Sequence, residues 1–160
     1  MSSEHIIELS HVTDVHGLHI LVVDDEPNNV VLLERLLARE GYTNVTGVTD
    51  PVKGFDIFST MKVDLVLLDL MMPELDGFGF MEKLVEVHGL TFPLPVLVLT
   101  ADMTAESMRK SMNLGVYDFV TKPFDPVEIM LRVRNVLERT KLKWELESAL
   151  IQLGQRSAKQ

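Results

Sequence analysis

Residues 64–70 read DLVLLDL and are apolar at every position between the two aspartates. Successive side chains of a strand point to opposite faces of its sheet, so a strand with one wet face alternates apolar and polar residues. A run without that alternation must be covered on both faces, which places it centrally in a parallel sheet with helices on either side. This confines the chain to the α/β class. Four other runs repeat the theme: 19–24 (HILVVD), about 43–48, 95–100 (PVLVLT) and 116–120. Each is followed by a helical pattern, so the spacing predicts five βα units.

The helices carry their own start and stop signals. Pro27 opens the first, with Val30, Leu33 and Leu37 on one face and Gly41 to stop it. Asp50-Pro51 is an N-cap followed by a proline at the first helical position. The third helix turns Met81, Leu84 and Val85 inward and ends near Gly89, and the fourth runs from about Thr104 to Leu114, closed by Gly115. Asp125-Pro126-Val127-Glu128 has the spacing of a capping box and opens the fifth. From Pro126 no glycine or proline follows until Gly154, which predicts a helix roughly 40 Å long whose second half outruns a small domain. Leu142, Leu146, Ala149 and Leu153 recur at four, three and four residues, the spacing of a short coiled-coil seam. Two readings stand: a frayed amphipathic tail, or a dimerisation or signalling helix leading into a further domain. The expected organisation is an N-terminal tether at 1–16, a folded domain at 17–137 and a helical linker or tail at 138–160.

The length of 160 residues suits one domain with a remainder, and 46% hydrophobic against 24% charged residues indicates a folded core. A formal net charge of −9 repels phosphate backbones and gives no support for direct nucleic-acid binding. With no cysteine, disulfides and thiolate metal sites are excluded. No apolar run is long enough to cross a bilayer and the first residues lack a secretory pattern, so the expectation is a cytoplasmic protein without membrane contact.

In open parallel sheets, ligands bind outside the carboxyl ends of the strands, where the strand order reverses. There the runs end in Asp24-Asp25, Asp69, Thr100 and, just past the fifth, Lys122. Carboxylates brought together repel unless a cation joins them. Lys122 supplies one positive charge, and a hard divalent ion, Mg²⁺ or Mn²⁺, suits the oxygen donors. No histidine lies in these loops, which argues against zinc. A carboxylate beside a divalent ion, a lysine and a hydroxyl is equipped for phosphoryl transfer. Asp69 is the best nucleophile candidate because it ends the central strand, whereas the adjacent Asp24 and Asp25 suit ion binding.

On these residues the chain resembles the receiver domain of two-component response regulators, CheY-like proteins, over about residues 17–137. The acidic pair sits in VVDDEPNN; the acceptor opens a D-x-x-M-P-x-x-D-G segment with Asp69, Met72, Pro73, Asp76 and Gly77; Thr100-Ala101 ends the fourth strand; Lys122-Pro123 follows the fifth. The resemblance implies a flavodoxin-like, doubly wound five-stranded parallel sheet of order 2-1-3-4-5 with an extended C-terminal helix. It implies that Asp69 is the phosphoacceptor. Asp25 and Asp69 would bind the ion directly, Asp24 directly or through water, and Met71 through its carbonyl. Thr100 and Lys122 would contact phosphoryl oxygens. With Thr100, Phe119 would be the switch aromatic, a phenylalanine where tyrosine is commoner, and Lys122-Pro123 would be cis. The donor would be a sensor histidine kinase or phosphotransfer protein, and the responding face the fourth helix, fifth strand and fifth helix. Such a protein is a switch rather than an enzyme with an external substrate.

A phosphatase of the haloacid dehalogenase type is the enzymatic alternative, but it needs an acid two residues after its nucleophile, where this chain has Met71. Others are the receiver part of a hybrid kinase or of a cyclic-dinucleotide effector, a homodimer through the last helix, or an output domain beyond it. Asp76-Gly77 reads as a turn and helix start. His5, His11, His16 and His19 fit no ligand spacing and read as surface or tether residues. Arg132, Arg134, Arg139, Lys141 and Lys143 read as a solvated helix face, and Met71, Met72, Met81 and Met130 as core or loop filler.

Overall fold

The structure, a computed structural model, describes residues 14–89, 94–102 and 104–158; His5, His11 and most of the expected tether lie outside the described residues. Five βα units follow in order: β1 Ile20–Val23, α1 Pro27–Arg39, β2 Val45–Val48, α2 Pro51–Thr60, β3 Leu65–Asp69, α3 Gly77–His88, β4 Leu94–Thr100, α4 Ala105–Asn113, β5 Val116–Thr121 and α5 Pro126–Ser157. The strands pair in parallel in the order β2-β1-β3-β4-β5, the expected topology. The chain winds outward from β1 in both directions, so the reversal falls between β1 and β3.

All residues of β1 and β3 are buried, as the unbroken apolar run requires. Alternate strand residues feed two separate cores. Ile20, Val22, Leu65, Leu67, Leu97, Leu99 and Val120 meet Leu33 and Leu37 of α1 and Ile129, Val133 and Leu137 of α5. On the other face Leu21, Val23, Val66, Leu68, Val96 and Val98 meet Phe80, Met81 and Leu84 of α3, with Phe55 and Phe58 of α2 and Leu114 after α4 packed against them. Two covered faces hold every strand end at one rim.

The caps follow the sequence with one change. Asp50 accepts from Val52 N, Asp76 from Gly79 N, Thr104 from Ser107 N, and Asp125 from both Val127 N and Glu128 N. Half of the expected capping box at Asp125 is therefore built, but the Glu128 carboxylate goes to Arg132, one turn on. Helix α5 also does not stop at Gly154; it runs on to Ser157. One glycine inside a long helix costs only about 1 kcal/mol, which the flanking turns absorb.

His19 corrects the surface reading. It is 3% exposed; its ring lies 2.9 Å from Thr46 Oγ1 and 3.1 Å from the Lys62 carbonyl, and its backbone N–H donates to Asp64 Oδ2. It ties β1, β2 and β3 together at the rim opposite the candidate site. His16 is exposed and pairs with Asp14. The basic residues of α5 are largely paired within the chain: Arg132 with Asp118 and Glu128, Arg134 with Glu138, Lys143 with Glu147, while Lys141 donates to the Asp14 carbonyl and Arg139 lies over Tyr117. Met72 and Met81 are core, and Met71 stands out into solvent at 62% exposure.

Candidate functional site

Strand register brings the distant acids together. Val23 is paired with Leu68, so the next residue on each strand, Asp24 and Asp69, stand side by side across the reversal. Asp69 is in turn opposite Leu99, one residue before Thr100, and Thr100 is opposite Thr121, one before Lys122. The backbone N–H of Lys122 donates to the Thr100 carbonyl at 2.9 Å, and the Lys122-Pro123 peptide is cis, as the resemblance implied.

Lys122 Nζ lies 2.6 Å from Asp24 Oδ2 and 3.2 Å from Asp69 Oδ2. Carboxylate oxygens of Asp24, Asp25 and Asp69 all lie within 4.8 Å of one another, and Asp25 is the most exposed of the three. Asp24 is 1% exposed and Asp69 4%. Asp24 is further held by the Glu26 N–H at 2.9 Å and by Asn29 Nδ2 at 3.1 Å; Asp69 Oδ1 accepts from the Met71 N–H at 3.1 Å. Burial pushes the Asp69 carboxyl above its ordinary value; the Met71 N–H and Lys122 oppose this, and Asp24 reinforces it. Burial alone would depress Lys122, but its bonds and charge pairing with Asp24 and Asp69 prevail and its ammonium is held above the ordinary lysine value.

One lysine thus faces three carboxylates. The donors are all hard oxygens, and the cluster keeps a surplus of negative charge at the mouth of the sheet. That chemistry fits Mg²⁺ or Mn²⁺ and does not fit a soft metal.

Thr100 is fully buried, and its Oγ1 accepts from the Asp102 N–H at 3.1 Å. Asp102 is itself fixed by the Ser107 hydroxyl, which donates to Oδ2 at 2.5 Å. Phe119 is half-buried against the core beneath α2, α3 and α4, one strand from Thr100. Asp24, Asp25, Asp69, Met71, Thr100 and Lys122 therefore gather at one rim, and Phe119 lies below it on β5, opposite Val98. Sequence reasoning missed Asn29, Asp102 and Ser107. Asn29 lies five residues after Asp24, in the first turn of α1, which is a readable signal; Asp102 and Ser107 differ from ordinary loop and helix-start residues only through their contacts.

Gly77 also proves to be more than punctuation. A Cβ there would stand 2.5 Å from the Asp69 carbonyl and 2.7 Å from Leu70 Cα, while its N–H donates to the Leu70 carbonyl at 3.1 Å. Backbone cannot yield as a side chain can. Gly77→Ala is expected to destabilise the fold by about 1–3 kcal/mol by forcing α3 off the end of β3. Urea denaturation should show a lowered midpoint with an unchanged slope.

The sequence profile of the response regulator receiver domain matches residues 20–134. The chain is 38% identical over 122 residues to the transcriptional activator protein IrlR of Burkholderia pseudomallei, covering 76% of this chain and 51% of that protein. It spans about half the length of the curated relatives it matches. Among solved structures, the signal receiver domain of an HD domain-containing protein from Pseudomonas fluorescens superposes with a TM-score of 0.69 at 25% identity, covering 78% of this chain and 98% of that one. The signal receiver domain of a signal transduction histidine kinase from Syntrophus aciditrophicus gives 0.67 at 29% identity, covering 76% and 91%. The sheet order, the profile running from β1 into α5 and the relative at 38% identity agree, and the chain belongs to the family of response regulator receiver domains of two-component signalling.

Proposed function

We propose that the chain accepts a phosphoryl group on Asp69 from a histidine kinase or phosphotransfer protein and that the acyl phosphate shifts its partner-binding face. The observation that carries this reading is the single ammonium of Lys122 held between Asp24 and Asp69 at the reversal of the sheet. A carboxylate oxygen of Asp69 forms the new O–P bond as the donor's P–N bond breaks. Lys122, already within reach of Asp69, neutralises charge on the incoming group, and the buried Thr100 hydroxyl has its proton available to donate to a phosphoryl oxygen. Asp25 and Asp69, with Asp24 and the Met71 carbonyl, would hold Mg²⁺ or Mn²⁺, which when bound neutralises phosphoryl oxygens.

The response would run through Thr100 and Phe119. Movement of Thr100 toward the acyl phosphate changes the space next to Phe119 and so biases the face made by α4, β5 and α5. Phe119 carries no hydroxyl, so the switch here would be one of packing. Residues 17–137 are read as the receiver and 138–160 as the helical segment that passes the change on. The similar receivers belong to a transcriptional activator, an HD domain-containing protein and a histidine kinase, so the receiver body does not specify the output. The absence of a long apolar helix among the described residues is compatible with action in the cytoplasm.

Incubation with Mg²⁺ and acetyl phosphate, followed by intact-mass measurement, tests the acceptor. The wild type is expected to gain one phosphoryl group and Asp69→Ala none. An equal adduct on both proteins would move the acceptor elsewhere, and no adduct together with no binding of beryllium fluoride would remove the function.

A further inference from the structure

We infer that a cleft between the lower rim of the sheet and the projecting half of α5 binds a small guanidinium compound. The cleft has a volume of about 460 Å³, within the range of small-molecule sites. Leu18, Lys62 and Asp64 form its receiver side, and Trp144, Glu145 and Ser148 its α5 side. Asp64 stands one residue before β3, at the opposite end of that strand from Asp69, so the cleft is remote from the acidic cluster. Nothing about it depends on phosphorylation.

The Asp64 side chain is only 6% exposed, yet it is half used. Its Oδ2 accepts the His19 N–H at 2.9 Å, whereas Oδ1 is buried without a hydrogen bond among the described residues. A buried carboxylate oxygen without a donor is costly, so this oxygen calls for one. The chain itself shows which donor suits the place. The Lys62 ammonium lies 4.1 Å from the centre of the Trp144 ring and 3.9 Å from Asp64 Oδ1, so a cation already sits between an aromatic face and a buried acid. It is held loosely: 3.9 Å is beyond hydrogen-bond reach, and the Lys62 side chain is 62% exposed. A guanidinium fits the same place better. Its plane stacks on the indole, its fork of N–H groups meets a carboxylate in a fixed direction, and it sheds water more readily than an ammonium. Glu145, exposed at the same cleft, suits a second positive charge at the far end of such a ligand. Lys141 also lines the cleft, but its ammonium is engaged by the Asp14 carbonyl at 2.8 Å. Entry of the ligand displaces Lys62 from Trp144 and puts the ligand between the receiver body and α5.

Trp144 is the only tryptophan in the chain, so its emission reports on the cleft. Titration of the full chain with agmatine, a guanidinium compound with an amine at its other end, is expected to change that emission saturably at constant ionic strength. Urea, planar but uncharged, is expected to leave it unchanged over the same range. Lys62→Ala removes the internal competitor and is expected to bind agmatine about tenfold tighter. Asp64→Asn keeps an oxygen for the His19 N–H, so its circular dichroism should match wild type, and it is expected to lose binding. Should that variant fail to fold, Trp144→Leu followed by calorimetry takes its place, with the same loss expected. No saturable change up to about 10 mM in both wild type and Lys62→Ala overturns the inference. So does binding no tighter in Lys62→Ala than in wild type, undiminished binding in Asp64→Asn or Trp144→Leu, or an equal response to urea.

Discussion

Lys122→Met is expected to destabilise the metal-free chain by about 3–5 kcal/mol, the usual cost of removing one partner from a buried ion pair. The methionine keeps the length and apolar stem of the lysine, so packing changes little and the lost charge dominates. Its removal leaves Asp24 and Asp69, both almost wholly buried, without the ammonium that lies 2.6 Å and 3.2 Å from them. The Lys122 side chain is only 18% exposed, so water screens this pairing poorly. The pH dependence has a definite sign. The folded chain holds the Lys122 proton more tightly than the unfolded chain, whose lysine has the ordinary value of 10.5. Its stabilisation is therefore complete below that value and is lost as pH rises through the raised one. The methionine variant should lack this alkaline loss.

Mg²⁺ separates this explanation from simple loss of packing. A cation that binds only the folded state adds about 2.7 kcal/mol at a hundred times its dissociation constant. Because the variant has the larger surplus of negative charge, it should gain more from Mg²⁺ than wild type, and the gap should narrow. Urea melts with and without Mg²⁺ measure this, and a gap that Mg²⁺ leaves unchanged would make Lys122 a packing residue. Phosphoryl acceptance should meanwhile fall on the order of a hundredfold, since a charge-neutralising donor is gone.

How far the sequence reveals this site depends on which physical signal each residue carries. The strands were legible because two covered faces demand unbroken apolar runs, and their ends then pointed to Asp24, Asp25, Asp69, Thr100 and Lys122 without any contact being known. Boundaries moved by about one residue, as at β4, which begins at Leu94. His19 was illegible for the opposite reason. A histidine before an apolar run gives no local sign of burial; Thr46, Lys62 and Asp64, which satisfy it, come from two other stretches of chain. Lys122 and Asp24 are likewise 98 residues apart, so their contact is a property of strand order alone. Gly77 shows a third case. Its turn was readable, but the close approach to the Asp69 carbonyl needs the packing of α3 onto β3.

Asp69→Asn is expected to stabilise the metal-free chain near neutral pH while abolishing its capacity to accept phosphate. Burial is the main reason the folded Asp69 binds its proton above the ordinary 3.8, with Asp24 adding to it against the pull of Lys122. Between 3.8 and the raised value the folded state binds more protons than the unfolded one, so stability falls as pH rises through that window. Above it the full penalty of an ionised Asp69 remains. Asparagine is close to an isostere and can still accept from the Met71 N–H, but it carries no charge and no such penalty. The expected gain is about 0.5–2 kcal/mol, the range of stabilising single substitutions. Below the window, where both forms of the side chain are neutral, the two proteins should converge. Mg²⁺ should reverse the order, since the variant has lost a carboxylate ligand and wild type alone gains the full binding energy. Thermal melts across pH with and without Mg²⁺ measure all three effects. A variant less stable than wild type in metal-free neutral buffer would mean that the attraction to Lys122 outweighs burial and the neighbouring acid. Convergence at low pH with reversal in Mg²⁺ would identify Asp69 as a group held at a cost to the fold for the sake of cation and phosphoryl binding.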